Sequence, residues 1–138
     1  DCMKNCEEYL NYFGIDYEVK ILSAHRNPAE VADFAQNAEK NGTRIIIAAA
    51  GMAAHLGGVV AAHTILPVLG VPMKGGIMDG LDALLSMVQM PAGVPVLTMA
   101  VGNAGAKNAA ITAAQILALS DNTLKEKLIE FKRNGSKI

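Results

Sequence analysis

Two uninterrupted apolar runs constrain this chain more than anything else in its sequence. Arg44 is followed by Ile-Ile-Ile-Ala-Ala-Ala to Ala50, and Leu66 to Val71 repeats the pattern with no polar side chain. A strand with one wet face alternates. A short run with no polar position belongs to a strand covered on both faces, the condition of a parallel strand between layers of helix. Between the runs, Gly51 opens a glycine- and alanine-rich turn into a helix from about Ala54 to His63.

The rest of the chain keeps this alternation. Residues 1–13 carry Met3, Cys6, Tyr9, Leu10 and Phe13 at helical spacing, and Gly14 is placed to end that helix. Tyr17 to Leu22 alternates and predicts a strand. Asn27-Pro28 predicts a helix start, with Val31, Phe34, Ala35 and Ala38 as its apolar face and Asn41-Gly42 as its end. Pro72 to Gly80 reads as a loop, Gly80 to about Val88 as a helix, Pro91-Ala92-Gly93 as a turn and Val94 to Val101 as a fourth strand. A glycine-containing loop from Gly102 to Lys107 then leads into an alanine-rich helix from Lys107 to Leu119. Asp121 caps a last, more charged helix ending near Arg133. One helix followed by four strand–helix units predicts an α/β domain, a parallel sheet with helices on both faces. Such sheets normally open on a strand and this chain opens on a helix, so a first strand and its loop are expected upstream of Asp1.

At 138 residues the chain is one domain, spanning residues 1–138, and is long enough to need no staple. Twelve Lys and Arg face 13 Asp and Glu, which excludes a nucleic-acid binder built on a basic surface. Aromatic residues at 4% and the lack of Trp leave base stacking poorly supplied. An apolar content of 51% against 18% charged excludes disorder and suggests that partner subunits cover part of the surface. The longest apolar stretch, Ile45 to Val71, is interrupted by His55, His63, Pro67 and several glycines, too often for a membrane helix. Cys2 and Cys6 stand four apart, poor spacing for a disulfide and too few ligands for a metal, and read as reduced cytosolic thiols. No GxGxxG, P-loop or CxxC pattern occurs.

Ligands of open parallel sheets bind at the carboxyl ends of the strands. Three segments are expected there. Ser23-Ala24-His25-Arg26-Asn27-Pro28 joins a strand end to a helix start, where backbone N–H groups favour an anion. Arg26 adds a fork suited to phosphate, and His25 can carry protons near neutral pH. Ala48 to Gly58 offers unobstructed backbone around His55, and Gly102 to Ala110 is a third strand-to-helix segment. Together they describe a compact pocket for a small anionic molecule. His63, among Ala and Val on a helix face, reads as structural, and Asp79 and Asp82 as carboxylates that could line the pocket.

Ser-Ala-His-Arg-Asn-Pro at 23–28, Ala-Ala-His-Leu at 53–56, Leu-Leu-Ser-Met-Val-Gln-Met-Pro at 84–91 and Gly-Asn-Ala-Gly-Ala-Lys-Asn-Ala-Ala at 102–110 strongly resemble the PurE family. These are the N5-carboxyaminoimidazole ribonucleotide (N5-CAIR) mutases of purine biosynthesis. The resemblance spans nearly the whole chain, in order. It implies a three-layer α/β/α, flavodoxin-like fold and a homo-octamer with sites near subunit contacts. It also implies transfer of a carboxylate from the exocyclic nitrogen of N5-CAIR to C4, giving CAIR without ATP, metal or organic cofactor. By the family's pattern His25 is the general acid and base. Arg26 and Ser23 resemble ribose-phosphate contacts. The turn Ala53, Ala54, His55 and Leu56 resembles the wall around the imidazole and carboxylate, with His55 assisting, and Ala24 and Gly51 fall among the substrate-binding positions the resemblance implies.

Three departures stand out. Gly57 occupies a position usually held by Pro, and Met73 to Asp79 replaces a loop that often carries Ser and Gln. The family's Gly-Ser-x-Ser-Asp phosphate loop is not in the sequence, as expected if it lies upstream of Asp1. Direct carboxylation of aminoimidazole ribonucleotide (AIR) by CO2 is the nearest alternative, and a non-catalytic nucleotide-binding or assembly domain is a third. Cytoplasm is the expected compartment.

Overall fold

The computed structural model describes residues 2–138. Helix α1 (Cys2–Phe13) is followed by α2 (Pro28–Asn37), β1 (Ile46–Ala50), α3 (Leu56–His63) and β2 (Val68–Pro72). A single 3-10 turn (Ile77–Asp79) leads into α4 (Leu81–Val88). Strand β3 (Leu97–Thr98), α5 (Asn103–Leu117) and α6 (Asn122–Arg133) complete the chain. The strands lie in the order β1-β2-β3, all parallel, with Ile46 opposite Val68, Ala50 opposite Pro72 and Gly70 opposite Thr98.

Both faces of the sheet are covered, as the unbroken apolar runs require. On one side Leu69 and Val71 meet Tyr9 and Phe13 of α1, Ala106, Ala109, Ala110 and Ala113 of α5, and Phe131 of α6. On the other, Ile46, Ala48 and Val68 meet Val31 and Ala35 of α2 and Val60 of α3. The result is a three-layer α/β/α sandwich of flavodoxin-like type. Alanines let α5 lie close to α1 and the sheet. The rings of Phe13 and Phe131, 5.4 Å apart and steeply inclined, pack α1 against α6. Among the described residues no helix is long and apolar enough to cross a membrane.

Three expectations need correction. Tyr17 to Leu22 is extended but is not a strand: from Asp16 to Leu22 no backbone group bonds another among the described residues. Val19 and Ile21 are 64% and 98% exposed. Alternation supplies the side-chain pattern of a strand, but a strand exists only where a neighbour takes its N–H and C=O groups.

The fourth strand shrinks from Val94–Val101 to Leu97–Thr98. Pro95 has no N–H to give to a ladder, and the residues beyond Thr98 turn away to start α5. Isolated bonds still hold this edge, Met99 N–H to the Gly70 carbonyl at 2.8 Å and Gly102 N–H to the Pro72 carbonyl at 2.8 Å.

The segment read as a loop to Lys107 is helical from Asn103. Gly102, at φ 76°, makes the reversal alone. Gly105 is inside the helix because a Cβ there would collide with the Ala100 carbonyl oxygen.

Candidate active site

The carboxyl end of the sheet gathers the chemistry. After β1 the chain runs Gly51-Met52-Ala53-Ala54 to His55, the residue immediately before α3. Met52 sits at φ 54°, a conformation costly for a side-chain-bearing residue, and its side chain is 66% exposed. The His55 N–H donates to the Ala53 carbonyl at 2.8 Å, and the His55 carbonyl accepts the Val59 N–H at 3.0 Å, starting α3. His55 therefore begins the helix with its backbone, while its ring caps nothing.

The turn before α2 reaches the same edge. Ser23 shapes it twice: its carbonyl accepts the Asn27 N–H at 2.8 Å and its hydroxyl accepts the Arg26 N–H at 3.2 Å. This geometry brings His25 Nε2 to 2.9 Å from His55 Nδ1. The rings meet edge to face, centroids 5.0 Å apart at 80°. Two histidines thirty residues apart thus form one hydrogen-bonded pair on an exposed rim. One nitrogen of each ring is engaged by the other, which leaves one nitrogen of each for a ligand.

The sequence profile of the family described as AIR carboxylase matches residues 1–137. The chain belongs to the AIR carboxylase family. Curated relatives are named N5-carboxyaminoimidazole ribonucleotide mutase. That of Haemophilus influenzae is 50% identical over 132 residues, covering 96% of this chain and 80% of the relative. That of Thermotoga maritima is 53% identical over 130 residues, covering 94% and 75%. That of Escherichia coli is 47% identical over 131 residues, covering 95% and 78%. The crystal structure of Treponema denticola PurE shares the fold at a TM-score of 0.87 and 24% identity, covering 98% of this chain and 83% of that one.

In this AIR carboxylase family member the residues singled out by sequence separate into three groups. His25 and His55 meet, and Arg26 follows His25 on the same turn, exposed and in no ion pair among the described residues. Gly51 and Ala53 are exposed at the rim. Ser23, Ala24, Ala54 and Leu56 lie deeper. The Ser23 hydroxyl is engaged in its own turn, Ala54 is 1% exposed and packs with Ala83 and Met87, and Leu56 packs against the α2–α3 core.

Other candidates hold structure. The Asp82 carboxylate accepts from the Ile77 N–H at 3.1 Å and the Ala83 N–H at 2.9 Å. Asp79 accepts from the Gly75 N–H at 3.2 Å and pairs with Lys74 at 3.4 Å. His63 approaches Gln36 across α2 and α3 at 3.4 Å. The Lys107 ammonium lies over the Tyr9 ring at 5.7 Å, on the α1 side of the molecule.

Sequence reasoning missed Ser86. Its hydroxyl donates to the Asp82 carbonyl at 2.7 Å and stands 3.5 Å from the Met52 carbonyl, so α4 supports the loop that carries His55. A serine inside an apolar helix was the available signal. The strained backbone of Met52 left no sequence signal at all.

Proposed function

We propose that this protein is an N5-CAIR mutase with His25 as its general acid and base. The observation that carries the proposal is the meeting of His25 and His55 at one sheet edge, with Arg26 on the same turn as His25, in a chain about half identical to proteins named for that activity.

The chemistry needs one proton carrier used twice. Breaking the bond between N5 and the carboxylate carbon releases CO2, and the electron pair left on N5 takes a proton from His25. CO2 stays beside the ring. C4 of the imidazole then attacks its carbon, forming the new C–C bond, and the C4 proton passes to His25 as the ring regains aromaticity. Protons and electrons balance, so the residue ends as it began.

The Arg26 guanidinium is suited to the ribose phosphate, with Ser23 and Ala24 shaping the turn that presents it. Gly51 and Ala53 form a small-residue wall against the imidazole and carboxylate, with Ala54 and Leu56 packed beneath it and His55 held on His25. Such a wall lets substrate approach the backbone closely and limits the space from which CO2 can leave. We place the enzyme in the cytoplasm as a homo-octamer whose neighbouring copies close over the open rim.

The test uses N5-CAIR labelled in its carboxylate, without ATP or bicarbonate. Label should pass into CAIR, and His25→Asn should slow transfer by about 10² to 10⁴-fold, the range for a lost general acid–base. Conversion of AIR plus bicarbonate, with none from N5-CAIR, would move the assignment to direct carboxylation. No conversion of either would favour a binding or assembly role.

A further inference from the structure

The mutase reading gives His25 a task but leaves open which of its two nitrogens performs it, and the contact with His55 bears on that choice. His25 Nε2 and His55 Nδ1 stand 2.9 Å apart, so one proton lies between them and one ring must accept. His55 occupies the N-cap position of α3, directly at the positive end of that helix, and its ring makes no capping bond. That pole disfavours a positive charge on His55. The charged side chains nearest this edge on the elements that meet there are Arg26, Glu30, Lys74, Asp79 and Asp82. Arg26 also opposes positive charge. Asp79 and Asp82 are committed to backbone N–H groups, and Asp79 also to Lys74. No carboxylate pairs with either ring among the described residues.

We infer that neutral His55 accepts at Nδ1 from His25 Nε2–H, which fixes the tautomer and orientation of His25 and makes His25 Nδ1 the atom that carries the substrate's protons. His55 is then a positioning residue, acting through His25. In the neutral resting pair each ring holds its proton on Nε2, and the His25 Nδ1 lone pair faces outward. Turnover starts from the imidazolium, in which His25 Nδ1 has taken a further proton from solvent while Nε2–H is still held by His55. Giving the Nδ1 proton to N5 restores the neutral ring, and taking up the C4 proton regenerates the imidazolium. The assignment of His25 as the proton carrier rests on the mutase reading; the tautomer and the contact do not.

Long-range ¹H–¹⁵N NMR of the resting protein, with ring-labelled histidine, tests the contact directly. Neutral His25 is expected as the Nε2–H tautomer, with His55 Nδ1 unprotonated and shifted by hydrogen bonding. His55→Asp, which puts a carboxylate acceptor beside Nε2–H, should raise the titration midpoint of His25. His55→Phe should abolish the coupling and lower kcat by about 10²-fold, the effect of about 1 Å of misplacement, with little change in KM. His55→Asn, which keeps an acceptor where Nδ1 stands, should recover most of that loss.

Neutral His25 protonated on Nδ1 would overturn the inference. So would a His25 titration curve identical in the parent and a folded His55→Phe, or a loss in that variant expressed in KM alone. A parent protein inert toward N5-CAIR would defeat the mutase reading, and the NMR result would still decide the pair.

Discussion

At the scale of single residues, strain and burial mark positions the sequence does not advertise. Met52 holds φ 54° beside the site although its side chain is largely exposed and buries little in return. Met52→Gly should therefore stabilise the protein by about 0.5–1 kcal/mol, the left-handed cost less the extra unfolded-state freedom of glycine. Thermal unfolding checks this, with Tm expected to rise by about 2–4 °C.

Cys6 shows the opposite case. Burial pushes its thiol up from the usual 9.0 to about 11, with smaller contributions from Glu7 and Cys2. The folded state favours the protonated thiol, so its contribution is complete below about pH 9 and fades as pH rises toward 11. Urea midpoints of the parent and of Cys6→Ala should converge over that window. A gap constant across it would show that the thiol titrates alike in both states.

At the scale of elements, what was legible was whatever the local sequence controls alone. The apolar runs announced β1 and β2, and Asp121 announced α6, where its carboxylate accepts the Leu124 N–H at 3.0 Å. The histidine and arginine of residues 25 and 26 were legible because such side chains stand out between a helix start and an extended segment. That His25 bonds His55, and not merely shares an edge with it, depends on two turns meeting in space and left no mark in either segment. Tyr17–Leu22 failed for a related reason, since strand pairing is a property of two segments.

Gly105 failed because glycine signals either a turn or a close approach, and only the fold tells which. The two readings predict opposite signs for Gly105→Ala. Helix propensity favours alanine by about 1 kcal/mol. The Ala100 carbonyl, standing where the Cβ would go, should outweigh that by the 1–3 kcal/mol or more typical of overpacking. A lowered urea midpoint is expected, and a raised one would mean that the Ala100 turn moves aside freely.

At the scale of the whole molecule, the chain exposes more surface than a self-contained protein of its mass should. A folded monomer of 14.5 kDa is expected to present about 6,900 Å², whereas this chain presents 8121 Å². The excess, about 1,200 Å², exceeds one side of an ordinary protein interface, about 800 Å². Large apolar side chains contribute to it, with Ile65 at 85% and Leu119 at 88% exposed. A net charge of -1 sets little electrostatic repulsion against self-association. Under the proposed mechanism the exposed histidine pair gives such contacts a functional reason, since a reaction that releases CO2 and recaptures it cannot run efficiently on an open rim.

The proposed octamer should appear in mass photometry at eight times the protomer mass. On serial dilution, mutase activity per chain should fall in step with the octamer fraction and return on reconcentration. Activity per chain that stays constant while the octamer falls apart would mean that one chain closes its own site, leaving its exposed apolar side chains without a role in the chemistry.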